Sequence, residues 1–584
     1  MAVKSAKMTE STSLKQYLPF LAWLPKYRRE DLTGDVIAGV IVAVMLVPQG
    51  MAYALLAGMP PETGLYASIV PLIIYGLLGT SRVLAVGPTA MVSLLIAAGI
   101  GSLNPASTAE YMQYALIMAL QVAIIQMLMG LLHVGFLVNF LSHPVLSGFT
   151  SAAAIIIGVG QVKHVLGYDV PRFEHFYEQV GFLFTNITHT NLTTLIIGLC
   201  AIGVLLAFKY PLATWMKAHL PEFIAVPLSK LGPLVVVVAG VIVVARFGLA
   251  QAAGVGIVGD VPGGLPQVAA PPFNFAMWQA VFPTAIAISL VGYMESISVA
   301  KALASKKRQK IDPDQELIAL GAANIGAAFT GAFPVTGGLS RTVVNDTAGA
   351  RTGMASIFTA ILVALTVMFL TPLFFYLPSA VLAAIIIVAV AKLFDWHAFI
   401  HAWRYNRADG LSLLVTFGAV LAAGIEAGIL IGAAVSMGLY LYRTSKPHTA
   451  VIGRIPGTEH FRNVKRHDVE TCSEVLLFRV DESLYFPNVT YLELQLLELV
   501  ADNPEIEHVV LVCSAVNYID VSALEVLERL MSELRSSGVT FYMAEVKGPV
   551  MDRLRQVGFI DHLGGDRVFL STQRAYEYLK AATG

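Results

Sequence analysis

Two residues sit where their chemistry could matter most. Glu295, in the run LVGYMESISVA, and Arg341, in GGLSRTVV, are ionisable side chains inside apolar segments. At a bilayer centre either one costs about 2.5–3.5 kcal/mol, so each should face the protein interior. A guanidinium held there attracts an anion; a carboxylate held there can pair with it or carry a proton. Arg341 ends the stretch PVTGGLSR, and a second stretch, VGPTA at Val86–Ala90, is built alike, with Pro and Gly just ahead of an apolar run too short to cross a bilayer. A helix that starts at the midplane leaves its first N–H groups without acceptors. In hydrocarbon each such group is costly, and an anion relieves the cost with help from the helix dipole. Pro88 suits a first helical turn because it has no N–H to satisfy, and Gly337 and Gly338 allow close backbone approach.

Gln49 and Tyr53, one helical turn apart, offer neutral donors on one face, and Thr89 and Ser340 offer hydroxyls at the two helix starts. With Ala90, Gly338 and Leu339 at those starts, and Arg341, these residues form the expected substrate-binding set, and Glu295 is the expected proton-coupling residue. Two other motifs carry no chemistry. GVGIVG at Gly254–Gly259 matches GxGxxG but follows an apolar helix, not a strand, so it lacks the context of a dinucleotide site. Asn186-Ile187-Thr188 and Asn191-Leu192-Thr193 are chance glycosylation sequons. Cys200, Cys472 and Cys513 have no ligand-like spacing and read as small core hydrophobes. No metal site, cofactor or nucleotide-binding motif is expected.

The elements that must position the site are membrane helices. The 584 residues are 56% hydrophobic and only 13% charged, about half the charge of a soluble domain. A net charge of −1 and the lack of a basic arm point away from nucleic acid. About fourteen apolar segments run from 35 to 442. Lys26, Arg28 and Arg29, then Lys301, Lys306, Lys307, Arg308 and Lys310, then Arg404 and Arg407, then Arg443 and Lys446, all follow an even number of crossings. That places them on one side with the N-terminus, the cytoplasmic side by the positive-inside rule. Gly87 and Gly337 are 250 residues apart, Gln49 and Glu295 246. Such matching offsets suggest an inverted repeat of seven plus seven segments, with the interrupted short segments marking the binding site. The expected domains are a cytoplasmic arm (1–30, without the pattern of a signal peptide), a transmembrane domain (31–445), a polar linker (446–472) and a soluble α/β domain (473–584). In that last domain strands at 475–480, 508–513 and 539–544 alternate with helices at 489–500, 521–536 and 549–556. The second of these carries an apolar stripe from Val521 to Leu534.

PQGMAYALLAGMPPETGLYASIVPLIIYGLLGTSR (Pro48–Arg82), VGPTAMVSL, VGDVPGGLP, YMESISVAKALA and the segment around Leu339–Arg341 resemble the SulP family of anion permeases over nearly the whole chain. YIDVSALEVLERL (Tyr518–Leu530) resembles a STAS domain. The resemblance implies a UraA-like fold of core and gate domains, the anion between the third and tenth helices, a homodimer, and an anion site including Gln49, Tyr53, Thr89, Ser340 and Arg341. Glu295 matches the glutamate of plant and bacterial sulfate permeases, as suits proton symport. Thr89, where some animal exchangers have Phe, favours an oxyanion. Sodium-coupled bicarbonate members use an acidic residue in the same helix, so sodium stays open. In STAS antagonists a phosphorylated Ser follows the Asp; here Val521 follows Asp520, which with Ser522 reads as helix capping. The expected function is elevator-like secondary transport of sulfate with protons across a bacterial inner membrane. Bicarbonate or dicarboxylate transport, uncoupled exchange, and a STAS signalling scaffold with a cytoplasmic binding protein are the alternatives.

Overall fold

The computed structural model describes residues 17–583 except 137–141, 172, 174, 175, 222–224, 226, 227, 230, 307 and 308. Two of the basic residues counted above, Lys307 and Arg308, therefore lie outside the described residues. The chain forms two compact units, Met1–Ser436 and Met437–Gly584.

The first unit is helical: α1 (Arg29–Leu56), α2 (Pro61–Tyr66), α3 (Val70–Leu78), α4 (Ala90–Gly101), α5 (Thr108–Leu131), α6 (His143–Leu166), α7 (Leu192–Lys209), α8 (Gly232–Phe247), α9 (Phe275–Lys306), α10 (Pro313–Phe329), α11 (Leu339–Thr347), α12 (Met354–Phe369), α13 (Ser379–Val390), α14 (Arg407–Ala423) and α15 (Ile425–Ser445). Counting α2 and α3 as one broken segment, these are the fourteen expected segments. Among the described residues seven helical spans are long and apolar enough to cross a membrane. Their outward faces suit lipid: on α7, Leu192, Ile196 and Leu199 are all exposed at helical spacing. Cys200 is exposed there too, a correction to its reading as a core residue, because the apolar run containing it faces outward.

The helices pack in two groups. In one, α10 lies on α3 and α5, α9 on α4 and α5, and α12 on α1 and α3; in the other, α13 and α14 lie on α6, and α7 on α8 and α13. The groups meet where α1 faces α8 and α13. Helix starts carry ordinary polar caps: Ser107 accepts from the Glu110 N–H at 3.2 Å and Asp312 from Asp314 and Gln315. Asn191, part of a sequon, caps α7 through Thr194. The Gly254–Gly259 motif is extended chain paired to the loop before α13, with Val258 N–H donating to the Leu377 carbonyl.

The second unit is a six-stranded sheet in the order β4-β3-β5-β6-β7-β8, where β3 is Thr449–Arg454, β4 Phe461–Asn463, β5 Val475–Val480, β6 His508–Val512, β7 Thr540–Ala544 and β8 Val568–Phe569. β5 to β8 are parallel; β3 is antiparallel to β5 and β4. Helices α16 (Val489–Asp502) and α17 (Val521–Ser536) cover one face through Leu492, Leu496, Leu527 and Leu530. A C-terminal helix, Thr572–Thr583, covers the other through Tyr576 and Leu579. The expected linker 446–472 is corrected: it supplies β3 and β4, because Ala450 and Ile452 alternate inward from TAVIGR and are buried. Val521 is corrected too: at the first position of α17 it is 72% exposed and not part of the buried stripe. Asp520 caps α17, accepting from the Ala523 N–H at 2.8 Å. Cys513 is buried, which pushes its thiol up to about 12, whereas Cys472 is half-buried and hydrogen-bonded to Glu474.

Two outcomes follow. Ile452→Asp should destabilise the second unit by on the order of 3 kcal/mol and speed amide exchange in Val475–Val480; a linker residue would leave both unchanged. Asp481 is partly buried, which favours its neutral form. Arg479 (2.6 and 3.0 Å) and His448 (2.7 Å) outweigh this and hold its carboxyl below the ordinary carboxylate range. A depressed carboxyl stabilises the fold above its unfolded value of about 3.9 and loses that contribution as pH falls through its folded value. Asp481→Asn should therefore flatten the acid limb of the unit's melting temperature between neutral and acidic pH.

Candidate anion site at two facing half-helices

The site is assembled from the backbone outward. Two short strands, β1 (Val86–Gly87) and β2 (Thr336–Gly337), pair antiparallel with Val86 opposite Gly337 and Gly87 opposite Thr336. Each strand runs directly into a half-helix, α4 after β1 and α11 after β2, so the pairing sets the two helix starts side by side. Gly87 has φ +148°, a conformation that only glycine adopts without strain.

Side chains hold this pair in place. Along one face of α11, Arg341 Nη1 donates to the Pro88 carbonyl at 2.6 Å, Thr342 Oγ1 accepts from the Ala85 N–H at 3.0 Å, and Asn345 Nδ2 donates to the Val83 carbonyl at 2.8 Å. From α9, Ser296 Oγ accepts from the Gly337 N–H at 2.8 Å and shares a hydrogen bond with Thr336. From α10, Asn324 Oδ1 accepts from the Val335 N–H at 2.8 Å, and its Nδ2 donates to the Val335 carbonyl at 3.1 Å. Upstream of β1, buried Glu316 accepts from the Tyr75 hydroxyl and from the Thr80 and Ser81 N–H groups.

Neither half-helix has a side-chain cap. The N–H groups of Ala90, Met91 and Val92, and of Leu339, Ser340 and Arg341, have no carbonyl four residues back within their helices. Around them lie buried polar atoms with no hydrogen-bond partner among the described residues: Thr89 Oγ1, Ser93 Oγ, Arg341 Nε and Nη2, and Glu295 Oε2. Arg341 is 2% exposed. Tyr53, Glu295 and Arg341 lie within electrostatic reach of one another, yet Glu295 and Arg341 form no ion pair, since Nη1 of the arginine turns to Pro88. Uncapped helix N-termini beside a guanidinium and hydroxyls have the donor set that a small oxyanion would need.

Each expected residue can now be placed. Gln49 and Tyr53 are buried on α1, Thr89 is the residue before α4, Ala90 opens α4, and Gly338 precedes α11. Leu339 is 57% exposed, so its side chain lies outside the site and only its N–H can contribute. Gln49 and Ser340 line a cavity of about 100 Å³ between the two helix groups. Its opposite wall includes Lys209, Ser229 and Lys392. Sequence reasoning missed these, although two lysines closing apolar runs were a signal. It also missed Ser296, Asn324 and Glu316, whose roles depend on contacts far apart in the chain.

A family model described as the sulfate permease family matches residues 32–416, and a STAS domain model matches residues 466–575. The chain is 35% identical over 586 residues to "Probable sulfate transporter 4.2" of Arabidopsis thaliana, covering 98% of this chain and 85% of that one. It is 32% identical to a probable sulfate transporter of Mycobacterium tuberculosis, covering 96% and 98%. Its fold is similar to murine solute carrier 26 family member A9, an anion transporter solved in the inward-facing state, with a TM-score of 0.89, 25% identity and coverage of 100% and 96%.

Arg341→Gln should weaken sulfate binding at least about thirtyfold, the effect of removing one partner of a buried charged contact. Melting without sulfate should change little, because the lost hydrogen bond to Pro88 is offset by removal of a buried cation that has no ion-pair partner. A Cβ at Gly338 would meet Arg341 Nη2 at 2.9 Å, so Gly338→Ala should displace the guanidinium and weaken sulfate in the same direction. Calorimetric titration with sulfate and a melt of each apo variant check both.

Proposed function

The chain belongs to the sulfate permease family and carries a STAS domain, and on that premise we propose that it moves sulfate together with protons. As a member of a family of transporters it is a multi-pass membrane anion transporter and not an enzyme. The observation that carries the finer reading is the pair of uncapped half-helix starts around Arg341, with a carboxylate oxygen of Glu295 left unpartnered nearby.

In this reading the N–H groups at the starts of α4 and α11 bind sulfate oxygens. Arg341 neutralises part of the dianion, and Gln49, Tyr53, Thr89 and Ser340 fill its remaining hydrogen-bonding positions. Glu295 carries the proton. While ionised it repels an incoming anion, and once protonated it lets the anion settle beside Arg341, so anion and proton load together. The helix group that contains α4 and α11 slides past the group of α6–α8 and α13–α15, which exposes the site to one side and then the other. Lys209 and Lys392, on the cavity wall facing Gln49 and Ser340, draw the anion toward it. The protein works as a homodimer in a bacterial inner membrane with both termini in the cytoplasm. There the STAS domain meets a cytoplasmic partner without a phosphoserine at the Val521 position.

Uptake of labelled sulfate into proteoliposomes, with and without an inward proton gradient, tests this. The expected result is gradient-stimulated uptake by the wild type and, in Glu295→Gln, uptake that no longer responds to the gradient. No sulfate uptake by folded protein would overturn the substrate, and bicarbonate would be tested next. Uptake indifferent to the gradient in the wild type would leave an uncoupled anion exchanger.

A further inference from the structure

At the end of the first unit where α1 begins, the loops around Arg82, Gln309 and Arg351 enclose a cavity of about 350 Å³. It is separate from the anion site and is lined by Lys26, Arg82 and Arg351 with one carboxylate, Asp31. Asp31 is already engaged: it accepts from the Arg28 N–H at 3.0 Å and from Arg351 Nη1 at 3.4 Å. Arg351 is therefore oriented by Asp31 and by Glu30 at 3.5 Å, while the side chains of Lys26 and Arg82 make no hydrogen bond or ion pair among the described residues. The lining thus holds more positive charge than its own carboxylate offsets. The loop bearing Arg82 is rigid, because Glu316 fixes Thr80 and Ser81 immediately before it. The loop bearing Arg351 is rigid as well, because buried Asp35 accepts from the Arg351 and Thr352 N–H groups at 2.7 and 3.1 Å.

The arm before α1 adds Ala22 and Trp23 to the lining. Trp23 is buried and packs near Tyr27, with ring centroids 6.2 Å apart, and Leu24, next in the chain and outside the lining, is 47% exposed. An aromatic pair at the end of membrane helices marks the headgroup level. A polar, cationic pocket beside an exposed apolar side chain at that level matches an amphiphile whose anionic part is a phosphate.

We propose that this cavity binds the phosphate of an anionic phospholipid headgroup on Arg82, Lys26 and Arg351. The lipid fastens the arm before α1 to the loop that leads into β1, and so to the strand pair under the anion site. This site does not depend on which anion is transported or whether protons accompany it.

The test uses the full-length protein in nanodiscs of phosphatidylcholine, of phosphatidylcholine with phosphatidylglycerol, and of phosphatidylcholine with inorganic phosphate. Native mass spectrometry should show phosphatidylglycerol retained in preference to phosphatidylcholine. That preference should fall about fivefold with Lys26→Gln and again with Arg82→Gln, and be unchanged by Arg404→Gln at an exposed position elsewhere. Lys26 is exposed, so its variant keeps the test valid if Arg82→Gln misfolds. Inorganic phosphate protecting against melting as well as phosphatidylglycerol does would assign the site to a free anion and overturn the lipid. Equal lipid retention by wild type and Lys26→Gln would overturn the site itself.

Discussion

Two helices that begin inside a membrane must find acceptors for their first N–H groups, and the membrane unit is organised around that requirement. β1 and β2 are two residues each, far too short to be stable alone. They stay paired because the surrounding helices hold the chain on both sides of the pair. Asn324 grips Val335, Ser296 grips Thr336 and Gly337, and the polar face of α11 runs antiparallel along 83–88 through Asn345, Thr342 and Arg341. The fixed backbone turns two helix dipoles into one preorganised positive site, so an anion bound there would not have to order the protein first.

The carboxylates inside the membrane unit divide by how well they are satisfied. Glu316 accepts from Tyr75, Thr80 and Ser81, and Asp35 from Tyr27, Arg351 and Thr352. A carboxylate with that many donors is satisfied and holds loops together. Glu295 has an oxygen with no partner. A half-buried carboxyl with a buried, unpartnered oxygen near a guanidinium is a functional candidate on physical grounds, and this contrast distinguishes it from its neighbours better than its position in the chain does.

That contrast also explains what could be read from the chain and what could not. Glu295 and Arg341 stood out because each interrupts an apolar run, and the half-helices because Pro and Gly precede runs too short to span. Glu316 and Asp35 were hidden because they lie near the ends of apolar runs, where a charge ordinarily faces water. The pairing of Val86 with Gly337 joins positions far apart in sequence and leaves no local periodicity. The Glu295–Arg341 ion pair looked plausible from the chain, but it competes with the Pro88 carbonyl, whose position depends on the fold. β3 was hidden because TAVIGR is short and set among polar residues, and its alternation has meaning only once β5 is beside it.

The choice of residues at the two half-helix starts follows from the same physics. At α17, in the soluble unit, Asp520 caps its own helix with one oxygen and accepts from the Phe486 N–H with the other, which leaves nothing for a ligand. An aspartate before α4 or α11 would do likewise, and its charge would repel an incoming anion. Gly338 has no side chain with which to cap α11. Thr89 could cap α4 and does not: its hydroxyl is buried and unbonded, and α4 has no side-chain cap. One start lacks a capping group and the other leaves it unused, so both sets of N–H groups and the threonine hydroxyl stay available together. A tetrahedral oxyanion, with acceptors pointing in several directions, can take up donors arriving from two helices and an arginine at once, which a spherical halide coordinates without the same directional match.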